Sequence, residues 1–151
     1  MSRDHSADTP EAILPPAGTA FGDRIRQRLE GDTVIWMTTV GRDGTPQPNP
    51  VWFLWDGETI LIYSRADAAR VAHIRSRPRL SLNFDGDGRG GNIAVITGEG
   101  RIDSQAPPAG DNEPYVEKYR GQIARIGHDP GSFAQAYPVA IRVQPTKVRG
   151  F

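Results

Sequence analysis

The sequence predicts a mainly β protein with short helices, an α+β fold built on an antiparallel sheet, and two observations support this. Gly accounts for 17 and Pro for 13 of the 151 residues, which favours short elements joined by turns over a helical bundle. Runs of β-branched and aromatic residues alternate with turn signals in the first half of the chain. The length fits one domain, predicted over residues 19–151, with residues 1–18 as a polar, mobile arm.

The first half of the domain is predicted to be one helix followed by a meander of strands. Thr19 is a suitable N-cap, and apolar residues recur every four positions from Phe21 to Leu29, which is the spacing of one helix face. The period then changes to that of strands. Three strands joined by tight turns are predicted over residues 33–40, 46–55 and 59–63.

The second predicted strand is apolar on both sides. Val51, Phe53 and Trp55 fall on one face, with Trp52 and Leu54 on the other. A sheet with one wet face would alternate apolar with polar residues, so both faces are expected to be covered. Two explanations remain open: a closed barrel with a subunit interface or ligand on its second face, or a sandwich core under an overlying helix.

The second half of the domain mixes short helices with further strands. Asp67 is a possible cap for a helix over 68–75, which Pro78 would stop. A Pro-rich patch at 106–110 leads into the helical sequence that follows. The other predicted elements are strands over 79–84 and 92–102, helices over 113–126 and 129–136, and a last strand over 138–143 before a basic tail.

Composition excludes several classes of function. Lys and Arg together equal Asp and Glu at 18 each, so there is no net charge to attract nucleic acid or an anionic membrane. The chain has no cysteine, hence no disulfide, thiol nucleophile or Cys-type metal site. The apolar runs are too short to span a bilayer, and the N-terminus lacks an apolar signal stretch. We therefore expect a cytoplasmic protein with no membrane, nucleic-acid or metal partner.

Two glycine-rich or acidic patterns resemble ligand motifs but lack the right context. Gly86-x-Gly88-x-x-Gly91 matches the dinucleotide fingerprint, yet a predicted strand follows it rather than a helix. The acidic residues of the same loop suggest calcium, but the position that should carry a bidentate acid is Ile96. The sequence therefore predicts a flexible loop here.

The segment from Tyr63 to Arg79 is the one charge anomaly. It carries five arginines and a single acid, Asp67. One interpretation is a solvated helix face. The other is an anion site, because the Ser64 hydroxyl, a following helix start and the guanidinium groups of Arg65 and Arg70 are the groups that a phosphate requires.

Four stretches, in this order and spacing, carry a resemblance to a known family: residues 38–53 (TTVGRDGTPQPNPVWF), 61–64 (LIYS), 70–82 (RVAHIRSRPRLSL) and 143–151 (VQPTKVRGF). Gly98-x-Gly100 fits as well. The chain resembles the flavin-reductase-like split β-barrel superfamily that includes pyridoxamine 5′-phosphate oxidase. Within it, the chain is most similar to the actinobacterial branch that uses coenzyme F420, a deazaflavin.

The resemblance implies a six-stranded antiparallel split β-barrel that forms a homodimer, with cofactor sites in the subunit interface. It places the strand Asn49–Phe53 beside the cofactor ring, Ser64 and Arg70 at its phosphate, and Asn92 at a cross-subunit contact. The full set of implied cofactor-binding residues is Asn49, Pro50, Val51, Trp52, Phe53, Tyr63, Ser64, Arg65, Arg70, His73 and Asn92. Ordinary packing is an equal alternative for Trp52 and Phe53.

The implied activity is an oxidoreductase that transfers a hydride between coenzyme F420 and a small conjugated or quinone-like substrate. No side chain stands out as a catalytic acid or base, because the cofactor carries the reactive atom. FMN is the alternative cofactor, since the two share the tricyclic ring and first phosphate. A non-catalytic carrier of the deazaflavin is a second hypothesis, and a haem protein with His73 as ligand is a third.

Overall fold

A computed structural model of the chain describes residues 13–151. Its helices are α1 (Ala20–Gly31), α2 (Ala69–Ser76), α3 (Glu113–Arg125) and α4 (Pro130–Ala136), with a 3-10 turn at Ala109–Asp111. Its strands are β1 (Ile35–Val40), β2 (Pro46–Val51), β3 (Leu54–Trp55), β4 (Ile60–Ser64), β5 (Arg79–Asn83), β6 (Ala94–Ile102) and β7 (Val139–Gly150).

The strands form one antiparallel sheet in the order β2-β1-β5-β6-β7-β4-β3. Its two end strands are nearly consecutive in the chain, and Val51 of β2 and Trp55 of β3 belong to the same buried cluster. The sheet is therefore curled, so that both ends contribute to one interior. This confirms the predicted mainly β, antiparallel split-barrel fold, with the second predicted strand divided into β2 and β3.

The inside of the curl holds an aliphatic core that we call the inner cluster. Side chains from every strand and from α1 meet there, and Ile62, Leu82 and Ile96 are completely buried. Helix α1 begins where predicted, because the Thr19 hydroxyl accepts the Gly22 N–H at 3.0 Å. Its Ile25 and Leu29 are fully buried in this core, as the four-residue spacing predicts.

The outside of the sheet near β4 carries a second buried group that we call the outer cluster. It lies under α3 and α4 and is rich in aromatic residues: Leu61, Tyr63, Ala109, Tyr115, Tyr119, Ile123, Phe133 and Ala140. Partly buried Trp52 and Leu54 pack against it. Of the two explanations for the apolar second strand, the overlying helices therefore account for its second face.

The last strand is longer than predicted. The predicted strand ends at Val143, before a basic tail, and Pro145 cannot donate to a sheet ladder. Instead β7 runs through Pro145 to Gly150, and the partner strand shifts register between Thr97 and Gly98, opposite Pro145. A Cβ at Gly98 would lie 2.8 Å from the Gln144 carbonyl oxygen, so glycine permits the close approach of the two strands.

Two smaller expectations also need correction. Asp67 does not cap α2, whose N-cap is Ala68 and has no side-chain hydrogen bond; Asp67 pairs with Arg65 at 3.3 Å instead. The predicted arm lies outside the described residues up to residue 12. Its remainder is packed on the domain, because Leu14 is only 4% exposed and belongs to the inner cluster. The packed domain thus starts before the predicted boundary at residue 19.

Within residues 13–151, we find no helix that combines the length and the apolar character needed to cross a membrane.

Candidate functional site

An open cleft of about 390 Å³ lies between the end of β2 and the two C-terminal helices. A cleft of this size is typical of small-molecule sites. Residues predicted for the site provide more than half of its lining, and residues of α3, α4 and their flanks provide most of the rest. The lining residues are Pro50, Val51, Trp52, Tyr63, Arg65, Ala68, Arg70, Tyr115, Ile126, Phe133 and Tyr137.

One wall of the cleft is a set of nearly parallel aromatic rings. Trp52 stacks on Tyr119, with ring centroids 4.8 Å apart and planes 7° from parallel, and on Phe133 at 5.6 Å and 16°. Phe133 stacks in turn on Tyr137 at 4.5 Å and 22°. Of these rings, Trp52, Phe133 and Tyr137 line the cleft, and their stacking leaves them little freedom to move. Sequence reasoning missed Tyr115, Phe133 and Tyr137 as site residues, although Tyr115 and Tyr119 already show helical spacing.

The chain leaves the sheet beside this wall because Phe53 forms its hydrogen bonds with α3. The Phe53 N–H donates to the Tyr119 hydroxyl at 2.8 Å, and the Phe53 carbonyl accepts from Lys118 Nζ at 2.9 Å. The Tyr119 hydroxyl donates to the Thr33 carbonyl at 2.7 Å. Phe53 therefore takes no part in the sheet ladders, the strand is interrupted between β2 and β3, and these contacts fix the position of the adjacent Trp52.

Phe53 is consequently a core residue. Its side chain is completely buried in the inner cluster, and both its backbone polar groups have partners within the chain. Of the two alternatives for Phe53, core packing and contact with the cofactor ring, the structure shows core packing. We therefore leave Phe53 out of the proposed cofactor contacts. The cleft is instead lined by the preceding residues, Pro50, Val51 and Trp52.

Lys118 was not singled out from the sequence. Its Nζ lies 3.8 Å from the centroid of the Phe53 ring, on the face of that ring. Burial lowers the pKa of Lys118 to about 8, against the raising effect of Asp32 and Glu30. The ammonium group therefore helps to hold the strand break at a cost in desolvation.

The opposite end of the cleft is cationic. The Arg70 guanidinium is half-buried, and its Nη1 donates a long hydrogen bond of 3.4 Å to the Ser64 hydroxyl. Its Nε is buried without a hydrogen-bond partner. Burial lowers the pKa of Arg70, and no carboxylate among residues 13–151 forms an ion pair with it. A desolvated cation with an unused donor is the arrangement that an anionic ligand would complete.

Ser64 and Arg65 complete this end. Ser64 is fully buried behind Arg70, and its hydroxyl donates to the Arg65 carbonyl at 3.0 Å. The Arg65 side chain is 60% exposed and pairs with Asp67. The structure thus brings Ser64, Arg65 and Arg70 together, as the anion-site interpretation predicts, with Ser64 in contact with Arg70 rather than on the cleft surface.

Three other predicted site residues lie outside the cleft lining. Asn49 is paired with Met37 inside the sheet. His73 is hydrogen-bonded through Nδ1 to Thr39 at 2.9 Å, and its Nε2 lies so close to Gly41 that a Cβ there would be 2.8 Å away. Both ring nitrogens of His73 therefore contact β1 and the residue after it.

Asn92 is the third, and it lies in the loop before β6. It adopts a left-handed conformation with φ 55°, and its Oδ1 is buried without a hydrogen-bond partner. The glycine-rich loop that precedes it leads into a strand, as predicted. The Asp87 carboxylate there accepts the N–H groups of Arg89 and Gly91 at 2.7 and 2.9 Å, so this loop binds its own carboxylate.

Solved structures of other proteins share this architecture. A protein described as an F420 reductase is 22% identical, with a TM-score of 0.66 over 89% of this chain and 98% of its own. The haem storage protein of Vibrio cholerae is 13% identical, with a TM-score of 0.60 over 85% and 92%. An FAD-binding protein from Mesorhizobium loti is 17% identical, with a TM-score of 0.56 over 82% and 87%.

At such identities these similarities establish the fold, and the ligands differ among the three proteins. A comparison at the level of sequence families is more specific. Residues 21–151 match the family described as pyridoxamine 5′-phosphate oxidase. That match covers most of the chain and the whole of the sheet, so this protein belongs to the pyridoxamine 5′-phosphate oxidase family.

Proposed function

We propose that the protein is an oxidoreductase that binds the deazaflavin coenzyme F420 in this cleft, with a cofactor phosphate at Arg70. The observation that carries the proposal is the half-buried Arg70 guanidinium, which has an unpartnered Nε and no carboxylate partner among the described residues. A phosphate in the cleft, which Arg70 lines, would supply the negative charge that Arg70 lacks among the described residues. The resemblance to the branch that uses F420 favours the deazaflavin over FMN.

The rest of the cleft fits a planar ring next to a phosphate. Trp52, Phe133 and Tyr137 line it with aromatic side chains, and Ile126 adds an apolar side chain that is 48% exposed at the cleft. The cationic end and the aromatic wall belong to the same cavity. This combination supports a tricyclic cofactor with a phosphate-bearing side chain and a small conjugated or quinone-like substrate.

When bound, the cofactor would supply the hydride chemistry. The protein's own residues would position the ring and exclude water. Tyr63 does not have a free proton to give, because its hydroxyl donates to the Pro107 carbonyl at 2.7 Å and accepts from Asn112 at 3.1 Å. Burial raises the pKa of Tyr115, so this phenol stays protonated at neutral pH. We therefore assign no catalytic acid or base to the chain.

The homodimer stays a prediction, and the same is true of the residues that a second subunit would add. Sedimentation-velocity analysis of the purified protein checks it directly. A species of twice the mass of the chain is the expected result.

The experiment that tests the proposal is a titration of the Arg70→Ala variant. Trp52 lines the cleft, so tryptophan fluorescence should report binding of the oxidised deazaflavin and of FMN. Removing a charged hydrogen-bond donor should weaken deazaflavin binding by about 1.5–3 kcal/mol, or roughly 10–150-fold, while the melting temperature is unchanged. Arg70→Lys should recover part of the loss, since it keeps the charge but not the fork.

Arg77→Ala is the matched control, because Arg77 belongs to the same basic segment, is exposed and does not line the cleft. Its affinity should equal that of the wild type. Wild-type affinity in Arg70→Ala would contradict the anion site. A wild-type preference for FMN would move the protein to the flavin alternative. The carrier alternative would be favoured if no acceptor oxidises the bound, reduced deazaflavin.

A further inference from the structure

The edge strand β2 carries prolines at three alternate positions, Pro46, Pro48 and Pro50. It lies at one end of the sheet and pairs with β1 alone. In an antiparallel pair, alternate residues direct both N–H and C=O towards the partner strand, and the residues between them direct both groups away. Because proline has no N–H, edge strands accommodate it at the positions that point away from the partner.

The register shows which residues these are. Gln47, Asn49 and Val51 lie opposite Thr39, Met37 and Ile35 and can complete the ladder with β1. The three prolines occupy the intervening positions, whose backbone groups point to the outer edge. From residue 46 to residue 50, this edge therefore presents carbonyl acceptors and no N–H donors.

This donor-free edge reaches the cleft at Pro50. Pro50 is exposed and lines the cleft together with Val51 and Trp52. The next residue of the same parity is Trp52, which lies beyond the end of β2. At Pro50 the cleft wall therefore offers a backbone carbonyl oxygen, where another residue would also have provided an N–H.

Flavins and deazaflavins differ at position 5 of the central ring. An oxidised flavin has a ring nitrogen with a lone pair at position 5, which needs a hydrogen-bond donor when water is excluded. A deazaflavin has a C–H group at that position, which needs no donor and tolerates a carbonyl oxygen. A site without a donor thus discriminates against the flavin by leaving a buried acceptor unpaired.

We propose that position 5 of the bound ring lies at Pro50 and that Pro50 favours a deazaflavin over a flavin there by removing an N–H from the outer edge of β2. The inference rests on the proposed function, since it requires that the cleft binds a tricyclic cofactor. The role proposed for Pro50 is separate from that of Arg70, because Pro50 would contact the ring of the cofactor and Arg70 its phosphate.

The test uses two ligands that differ only at position 5, oxidised FMN and oxidised 5-deaza-FMN. Their dissociation constants are measured for the wild type, Pro50→Ala and Pro46→Ala by tryptophan fluorescence, with melting temperatures recorded for each variant. The wild type should bind 5-deaza-FMN about tenfold more tightly than FMN. Pro50→Ala, which restores the N–H, should reduce this ratio to about two or less by tightening FMN binding.

Pro46→Ala is the matched control, because it makes the same chemical change on the same edge at a residue that does not line the cleft. It should keep the wild-type ratio. Equal affinities of the wild type for the two ligands would overturn the inference even if Pro50→Ala fails to fold, and would show that another donor serves the flavin. An unchanged ratio in folded Pro50→Ala would overturn the assignment to Pro50.

The outcomes also separate this inference from the proposed function. Binding of both ligands with equal affinity, lost in Arg70→Ala, would leave the cofactor site standing and remove only the role of Pro50. Binding of neither ligand, nor of coenzyme F420, would overturn the proposed function and the inference with it.

Discussion

The two faces of the sheet are buried by different kinds of side chain, and β4 shows the contrast within one strand. Ile60 and Ile62 enter the inner cluster, whereas Leu61 and Tyr63 enter the outer cluster. The inner cluster is mainly aliphatic. The outer cluster combines aromatic rings with hydroxyl groups that bond to the backbone, and it borders the open cleft.

This difference indicates that the inner cluster mainly stabilises the fold, whereas the outer cluster also determines the geometry of the cleft. Aliphatic side chains contribute through burial and packing alone and need no polar partner. A buried tyrosine adds ring surface and also ties its hydroxyl to a particular carbonyl or amide. The Tyr119 hydroxyl does this at the strand break beside Trp52. We therefore expect mutations in the inner cluster to affect stability and mutations in the outer cluster to affect the geometry of the cleft.

The largest effect is expected in the inner cluster, for Leu82→Ala. Leu82 is completely buried between Met37 and Ile96 in the sheet, so truncation leaves a cavity. The free energy of unfolding, measured by urea denaturation, should fall by about 2–5 kcal/mol. The affinity of the folded variant for the cofactor should not change.

Val34→Ala is the control for Leu82→Ala. Val34 is 38% exposed, and we expect a loss of about 0.5 kcal/mol or less. A loss below about 1 kcal/mol for Leu82→Ala would mean that the two faces do not differ in the way described.

A smaller effect on stability, together with an effect on the cleft, is expected for Tyr119→Phe. The variant leaves the Phe53 N–H without its acceptor in a buried place, at a cost of about 1–3 kcal/mol. Because Phe53 adjoins Trp52, the tryptophan emission spectrum and the cofactor affinity should change as well.

Tyr115→Phe is its matched control. Tyr115 is buried in the same cluster, and its hydroxyl has no hydrogen bond to another described residue. Its stability should change by less than that of Tyr119→Phe. Equal losses in the two variants would indicate that the hydroxyl of Tyr119 has no special role at the strand break.

The smallest effect is a pH dependence from Lys118, because this side chain is only partly buried and solvent screens much of its effect on stability. Burial lowers the pKa of Lys118 from its ordinary 10.5 to about 8. Between these two values the unfolded chain binds more protons at this residue than the folded chain does, so stability should rise as the pH increases from about 8 to 10. Above pH 10 the trend should reverse, because burial raises the pKa of Tyr115 and Tyr119 and the unfolded chain loses those protons first.

Urea denaturation at intervals of half a pH unit measures this profile. Lys118→Met should lose the rise between pH 8 and 10 and keep the decline above it. An identical rise in Lys118→Met would assign it to another group.

Local sequence patterns predicted most of the fold because they depend on neighbouring residues. The four-residue spacing from Phe21 to Leu29 predicted α1, and Asp129 forms a capping box with Ser132 at the start of α4. The division of the second strand could not be predicted in this way. It depends on Lys118 and Tyr119, which lie 65 and 66 residues away from Phe53 in the chain.

The candidate site shows the same limit. The cationic end was predicted because Ser64, Arg65 and Arg70 are close together in the sequence. The aromatic wall was missed because it joins Trp52 of the first half to Phe133 and Tyr137 of the second half. His73 was included because it lies in the resembling segment, but its contacts with Thr39 and Gly41 depend on how α2 packs against β1.

The prolines of β2 also bear on how copies of this protein can meet. An unpaired strand at the end of a sheet is a template on which another chain can extend the sheet, and this is a common route to aggregation. A strand docking on the outer edge of β2 would find carbonyl oxygens but no amide protons from residue 46 to residue 50. The exposed end of β2 beside the cleft is therefore a poor template for pairing with a strand of another molecule. Any second subunit would have to approach β2 through side chains rather than through a shared backbone ladder.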